Sequence, residues 1–159
     1  MENLRPTFLT VLCILTFIGS GYGIFNAISS YKGAEVAVGL TSDIMEDAMD
    51  KIEDETDSES EAAMAQKLVG AVTEGLTVEN IKNMAIANGI ASILCLIGAF
   101  LMWGLDKKGF YLYVIGTVVG ILAPIMIYKG ILGAMAGGGI AFFGILFVVL
   151  YGLNLKHLR

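Results

Sequence analysis

Charged residues are missing from four long stretches of this sequence. Asp, Glu, Lys, Arg and His are all absent from residues 7–31, 83–105, 109–128 and 130–155. Each stretch holds about the 20 residues that a helix needs to cross a hydrocarbon layer of roughly 30 Å. We therefore predict an all-α fold, a four-helix transmembrane bundle with spans at about 7–31, 83–105, 109–128 and 134–155.

Titratable groups that could carry chemistry are also scarce. The single histidine is His157, and no H-E-x-x-H, G-x-S-x-G or phosphate-loop motif occurs. Acid–base catalysis needs positioned titratable side chains, and ion-coupled transport needs carboxylate, His or Lys groups inside the spans. The sequence therefore predicts no catalytic residues, and it argues against an acid–base enzyme and against an ion-coupled transporter.

Only two cysteines occur, Cys13 and Cys95, and both lie inside predicted spans. Their spacing matches neither a zinc site nor a redox pair. We interpret them as small apolar side chains, and we predict no metal and no cofactor.

The acidic charge is concentrated in one segment. Six of the nine residues in EDETDSESE, residues 53–61, are acidic. Residues 32–82 carry thirteen acids and four lysines, a net charge of −9, whereas the rest of the chain carries two acids and six basic residues, a net charge of +4. This excess argues against nucleic acid as a partner because phosphates repel carboxylates. The run lacks the glycine and the spacing of a calcium-binding loop, so we interpret it as the hydrated apex of a loop.

Amphipathic helices flank the acidic run. From Leu40 to Asp54, apolar residues fall on one half of a helical wheel and acids on the other, and the pattern repeats after the run. Ser58 and Glu61 have the spacing of a capping box at the start of the second helix. We predict an extramembrane amphipathic helical hairpin within about residues 33–80, between the first and second spans.

The predicted hairpin offers a face for a protein partner. Five apolar residues form this candidate face: Met45, Met49, Ile52, Met64 and Leu68. Methionine is adaptable and is common on binding surfaces. The alternative is that these residues fill the space between the two helices. Docking on a lipid surface is disfavoured because the polar faces are acidic rather than basic.

Small and polar residues inside the spans indicate helix packing. Gly and Ala recur every four residues in all four spans, which lets helix backbones approach closely, either within one chain or between chains. Asn26 and Asn88 are the predicted interhelix polar contacts, with contact to a polar ligand as the alternative. Thr77, followed by Glu79, is a predicted N-cap of the second membrane helix. The AGGGIA run, residues 136–141, is expected to be a flexible turn, or else a broken helix as in transporters.

Basic residues favour one orientation in the membrane. Arg5, the DKKG turn at 106–109 and the LKHLR tail at 155–159 hold five basic residues in short segments, whereas five lysines are spread over the much longer acidic side. The positive-inside rule then predicts that both termini are cytoplasmic and that the acidic segment lies outside.

Two stretches resemble a known class of protein. RPTFLTVLCILTFIGSG, residues 5–21, and KKGFYLYVIG, residues 107–116, are similar to motifs of small four-span bacterial membrane proteins of unknown function. The resemblance covers the spans and implies a location in the bacterial inner membrane. It implies no catalytic or ligand residues.

These observations predict a non-enzymatic function. We expect an integral membrane accessory or scaffold subunit, surrounded by membrane lipids, that binds a protein partner or a second copy of itself. The alternative is an oligomeric small-molecule transporter or channel with a pore lined by Thr, Ser, Asn and Gly. A membrane enzyme that uses the outer carboxylates Glu53, Asp54 and Asp57 is the third hypothesis.

Overall fold

The computed structural model contains helices and turns but no strand over the residues that it describes, which are 7–55, 59–128 and 130–158. For residues 52–55, 59 and 157 the backbone alone is described. A short 3₁₀ helix, Leu155–His157, follows five α-helices: α1 Thr7–Glu55, α2 Glu59–Gly75, α3 Val78–Trp103, α4 Lys108–Tyr128 and α5 Gly130–Leu153. The predicted all-α fold is confirmed.

Four helices in the described part of the chain are long and apolar enough to cross a membrane. They are α3, α4, α5 and the portion Thr7–Lys51 of α1. Their surfaces carry many exposed large apolar side chains, including Ile18, Phe100 and Phe142. Hydrocarbon is as apolar as these side chains, so such a surface is stable in a bilayer.

α1 is much longer than a membrane crossing. Its 49 residues extend about 73 Å at 1.5 Å per residue, against a hydrocarbon thickness of roughly 30 Å. No proline lies between Thr7 and Glu55 to break the helix, so the first span continues directly into the first amphipathic helix. α2 then lies against α1, and its last residue, Gly75, lies against Leu132 of α5.

The membrane helices pack in series rather than as a closed ring. α3 lies between α1 and α4, and α5 packs against α4. α1 and α5 touch over only a small area, so the bundle is open along the side between them. Successive membrane helices run in opposite directions. The first and last described residues, Thr7 and Leu158, therefore lie on one side, here called the terminal side, and α2 lies on the other, here called the acidic side.

Glycines allow the closest approaches between these helices. A Cβ on Gly98 would lie 2.8 Å from the Gly109 carbonyl oxygen and 2.8 Å from the Tyr113 nitrogen. A Cβ on Gly133 would lie 2.8 Å from the Pro124 carbonyl oxygen. Both separations are well below ordinary van der Waals contact. The small residues at these positions therefore serve packing within one chain.

The start of α5 differs from the expectation based on sequence. The AGGGIA run, residues 136–141, lies inside α5, which begins at Gly130 rather than near residue 134. The expected turn at this run is therefore wrong. Backbone polar groups surrounded by lipid must be hydrogen-bonded, and this requirement outweighs the low helix propensity of glycine. Gly130 itself has a φ of 55°, a left-handed conformation that glycine adopts without steric cost.

α3 begins with the predicted cap. The Thr77 hydroxyl accepts a hydrogen bond from the Asn80 backbone N–H at 3.2 Å, and Glu79 lies in the first turn, where the helix dipole favours negative charge. The capping box predicted from Ser58 and Glu61 lies partly outside the described residues, because Ser58 is not among them. α2 is described from Glu59 onward.

A buried cluster joins the helices on the terminal side. It consists of Leu9, Leu12, Cys13, Met102, Tyr113, Tyr151 and Leu158. The rings of Tyr113 and Tyr151 have centroids 4.9 Å apart, and the Tyr151 hydroxyl lies 2.7 Å from Thr16 Oγ1. This hydrogen bond connects α1 to α5 where the two helices meet.

We expect Thr16→Val and Tyr151→Phe to show a coupling energy of about 1 kcal/mol, because each variant removes one partner of the same buried bond. Hydrogen bonds between membrane helices contribute about 0.6 kcal/mol on average and up to about 1.7 kcal/mol. A double-mutant cycle of unfolding free energies in detergent measures the coupling. Additive effects of the two substitutions would mean that the bond does not stabilise the contact between α1 and α5.

Candidate functional site

The open side of the bundle forms a cleft of about 920 Å³ within the membrane part. α1 and α5 form its walls, and α3 and α4 form its floor. Glycine leaves space on both walls, since a Cβ on Gly19 or Gly139 would meet nothing within 4 Å. The volume lies within the roughly 300–1,000 Å³ that is typical of small-molecule sites. We call this feature the lateral cleft.

The lateral cleft is mostly apolar, and none of its described lining residues is charged. Its polar groups on the terminal side are satisfied within the protein. Thr117 Oγ1 donates to the Tyr113 carbonyl oxygen at 3.0 Å, and Thr16 is paired with Tyr151. Both threonine hydroxyls in this part of the cleft therefore already have a partner.

The polar groups nearer the acidic side are different. Ser20, Asn88 and Ser92 all line the cleft, and none of the three makes a hydrogen bond with another residue that the structure describes. Ser20 is only 7% exposed. The cleft therefore has a polar, unpaired half and an apolar half.

Asn26 and Asn88, the predicted interhelix contacts, are not joined by a hydrogen bond in the described part of the chain. Asn26 is exposed, and its Oδ1 accepts a hydrogen bond of 3.4 Å from Ser30 Oγ on the same helix. Asn88 lines the lateral cleft. Close packing of α1 on α3 beside them occurs through small residues, since a Cβ on Gly89 would lie 3.6 Å from the Ala27 Cβ.

The membrane part of α1 ends near a charged cluster. Lys82 Nζ, at the start of α3, lies 3.4 Å from Glu35 Oε1 and 5.8 Å from the centroid of the Tyr31 ring. Tyrosine and charged side chains are favoured at the headgroup level of a membrane rather than in its hydrocarbon. Residues of α1 beyond Glu35 belong to the segment predicted from sequence to lie outside the membrane, and we call them the extramembrane part of α1.

A groove of mixed polarity separates this extramembrane part of α1 from α2. Its lining residues are Ser42, Met45, Glu46, Met49, Gln66, Val69, Gly70, Thr73 and Glu74. The predicted partner face is consequently divided. Met45 and Met49 are half-buried beside α2, whereas Met64 and Leu68 are 68% and 42% exposed and belong to no part of the groove that the structure describes. The side chain of Ile52 lies outside the described residues.

Three apolar residues on the extramembrane part of α1 have no cover in the described structure. Val36, Leu40 and Ile44 recur every four residues and are 66%, 59% and 65% exposed. At about 100° per residue, Met49 lies half a turn from Leu40, so these residues occupy the side of α1 away from α2. We call them the apolar stripe. Exposed apolar patches of this kind commonly mark interaction sites.

Acidic residues accompany the apolar stripe. Asp43, Asp47 and Asp50 are all exposed, and on a helical wheel they lie along one edge of it. Lys51 pairs with Asp47 at 2.9 Å, but an exposed pair of this kind contributes little stability. The stripe is thus an apolar surface in a strongly negative environment.

A metal site is not formed by the side chains that the structure describes, since no group of three or more His, Cys, Asp or Glu is placed to hold an ion. For most of the acidic run at residues 53–61, the side chains are not among those described.

No family model, curated protein or solved structure matches the chain. The candidate sites therefore rest on geometry and charge.

Three residues of these sites were not among the site residues predicted from sequence, although the sequence contains a signal for each. Val36 extends the four-residue spacing of Leu40 and Ile44, but the helical wheel that begins at Leu40 omits it. Ser20 and Ser92 are hydroxyls within otherwise apolar stretches. Sequence alone does not show whether such a hydroxyl bonds its own helix or faces a cleft.

Proposed function

We propose that this protein is a non-enzymatic accessory or scaffold subunit of a membrane complex, and that a different protein docks on its apolar stripe. The observation that carries the proposal is the exposure of Val36, Leu40 and Ile44 beyond the membrane part of α1. Burying one such side chain stabilises a complex by about 1.5–3 kcal/mol. Three at helical spacing form a surface that suits a partner helix.

The charge of the region defines the chemistry of the partner. Residues 32–82 have a net charge of −9, and exposed Asp43 and Asp47 lie beside the stripe. An amphipathic helix with an apolar face and flanking Lys or Arg residues fits this surface. A second copy of this chain would bring the same negative charge to the interface, and like charges disfavour that pairing.

In this proposal, α2 and the extramembrane part of α1 act as a helical hairpin that presents the stripe. The half-buried Met45 and Met49 lie on the α2 side of α1. At its other end α2 is close to the membrane helices, since a Cβ on Gly75 would lie 2.5 Å from Leu132 Cδ2. These contacts support a hairpin that holds the stripe at a fixed position above the bilayer.

Crosslinking in native membranes, followed by purification in a mild detergent, tests the docking proposal. Lys32 and Lys51 lie on either side of the stripe in sequence and supply reactive amines. We expect a second protein in stoichiometric amount, with crosslinked peptides that include one of these lysines. Recovery of a lone monomer without a stoichiometric partner would contradict the proposal.

The proposed location is the bacterial inner membrane, with both termini in the cytoplasm and the acidic side outside. The density of basic residues in the short loops and the resemblance of two stretches to bacterial four-span proteins support it.

A cysteine at Ser60 should react with a membrane-impermeant maleimide in intact spheroplasts. Ser60 is exposed on the acidic side, and the variant is made in a Cys13→Ser, Cys95→Ser background. A cysteine at Lys156, exposed on the terminal side, is the matched control and should react only after the membrane is opened. The reverse pattern of labelling would reverse the orientation.

A small-molecule transporter or channel is the second candidate, and the lateral cleft is the observation that favours it. Liposome uptake of a broad panel of solutes separates the two functions. Uptake above that of protein-free liposomes would support transport. Uptake equal to that of protein-free liposomes would leave partner docking as the function that the geometry supports.

A further inference from the structure

We infer that the lateral cleft between α1 and α5 binds an uncharged amphiphile with a short apolar chain. Its hydrogen-bonding group, a hydroxyl or carbonyl, lies at Ser20, Asn88 and Ser92, and its chain extends toward Gly144 and Phe147. This site is separate from the apolar stripe, and the inference does not depend on the docking proposal.

Unpaired polar side chains mark the position of the ligand's polar group. Ser20 lines the cleft and is 7% exposed overall. No fully buried side-chain oxygen or nitrogen among the described residues lacks a partner, so the Ser20 hydroxyl, which has no described hydrogen bond, opens into the cleft. A hydroxyl that faces hydrocarbon without a hydrogen bond is unfavourable. Asn88 and Ser92 line the same half of the cleft and share this lack of a described partner. A ligand hydroxyl, which both donates and accepts hydrogen bonds, can pair with these groups.

The depth of these residues excludes a charged headgroup. Asn88 and Ser92 follow Lys82 by six and ten positions, which places them about 9 and 15 Å along α3 from the charged cluster at the membrane edge. The described lining of the cleft contains no charged side chain to pair with a carboxylate or phosphate, and an unpaired charge at that depth is costly. The ligand is therefore uncharged.

The other half of the cleft suits a hydrocarbon chain. The hydroxyls of Thr117 and Thr16 are already bonded within the protein, and Gly144 and Phe147 complete the lining on this side. Since the cleft opens between α1 and α5 in the apolar part of both helices, a molecule dissolved in the bilayer can enter it sideways. Its chain then points toward the terminal side.

A transmembrane helix of another protein fits the cleft less well. On α5 the lining runs from Met135 to Phe147, a length of about 18 Å along the helix axis. A spanning helix needs roughly 30 Å. The hydrogen bond between Thr16 and Tyr151 closes the terminal end, so such a helix could not pass along the whole bundle.

Photolabelling with octanol that carries a diazirine in its chain tests the inference. Full-length protein in nanodiscs is illuminated, and labelled peptides are identified by mass spectrometry. We expect saturable labelling of cleft residues that excess unlabelled octanol prevents. The corresponding fatty acid at a pH where it is ionised should label these residues at least about tenfold less.

Two variants and one matched control locate the site. Gly139→Leu fills the cleft from the α5 wall and should reduce labelling by about tenfold or more. Gly138→Leu is the control, because Gly138 is also free of neighbours within 4 Å but does not line the cleft. Ser20→Ala combined with Asn88→Ala should abolish the preference for the alcohol over a chain of equal length without oxygen.

Three results would overturn the inference. They are equal labelling of the native protein and the Gly139→Leu variant, equal labelling by the alcohol and the ionised acid, and an unchanged preference after Ser20→Ala with Asn88→Ala. Loss of the docked protein partner would not affect any of these measurements. The site can therefore fail while the docking proposal holds, and the reverse is also true.

Discussion

Gly98→Ala should destabilise the protein by about 2–3 kcal/mol, since overpacking a tightly packed site costs typically 1–3 kcal/mol. The added Cβ would lie 2.8 Å from two backbone atoms of α4, the Gly109 oxygen and the Tyr113 nitrogen. Backbone atoms cannot rotate away as a side chain can. α3 and α4 must therefore separate, which also loosens the buried cluster that contains Met102 and Tyr113. Equilibrium unfolding in mixed detergent micelles measures the change.

Gly138→Ala is the matched control for Gly98→Ala. A Cβ at Gly138 meets nothing within 4 Å, and alanine in a helix is more favourable than glycine by about 1 kcal/mol at most. We expect the control to be as stable as the native protein or slightly more stable. If Gly98→Ala behaved like the control, α3 and α4 would not approach as closely as described.

Leu40→Ser combined with Ile44→Ser should weaken partner binding by about 100-fold. Each substitution removes at least about 1.5 kcal/mol of apolar burial, and about 1.4 kcal/mol corresponds to a tenfold change in affinity. Both side chains are exposed in the free protein, so the fold should be unaffected. Recovery of the partner from crosslinked membranes, at equal expression, measures the loss.

Met64→Ser is the matched control for the stripe variant. Met64 is exposed to a similar degree but belongs to α2. We expect normal partner recovery with this variant. An equal loss from Met64→Ser and from the stripe variant would mean that the partner does not recognise the stripe on α1 specifically.

The existence of the helices was predictable from sequence, but their continuity was not. Stretches without charge indicate helices of spanning length because a bilayer imposes that length. The passage from the first span into the amphipathic part of α1 has no such rule, since apolar and amphipathic segments can share one helix. At residues 136–141 a turn was expected where the structure has a helix. The low helix propensity of glycine, which is measured in water, does not decide the structure of a segment in lipid.

The candidate sites depend on packing that spacing cannot specify. Gly137 and Gly138 are adjacent in sequence, but a Cβ on Gly137 would lie 2.7 Å from Ile125 Cγ1 whereas one on Gly138 would meet nothing. The lateral cleft exists because α5 packs on α4 and hardly touches α1. Likewise, the amphipathic pattern identified an apolar half of α1, but the position of α2 decides which part of that half remains exposed.

A photocrosslinking amino acid at Ile44 tests whether a different protein docks on the apolar stripe. Ile44 lies on the apolar stripe, and the same amino acid at Ser42, which lines the groove beside α2, is the control. We predict that illumination of native membranes joins position 44 to a different protein through a segment rich in Lys or Arg. Position 42 should react within the chain. Adducts from position 44 that contain only lipid, or only a second copy of this chain, would contradict the account.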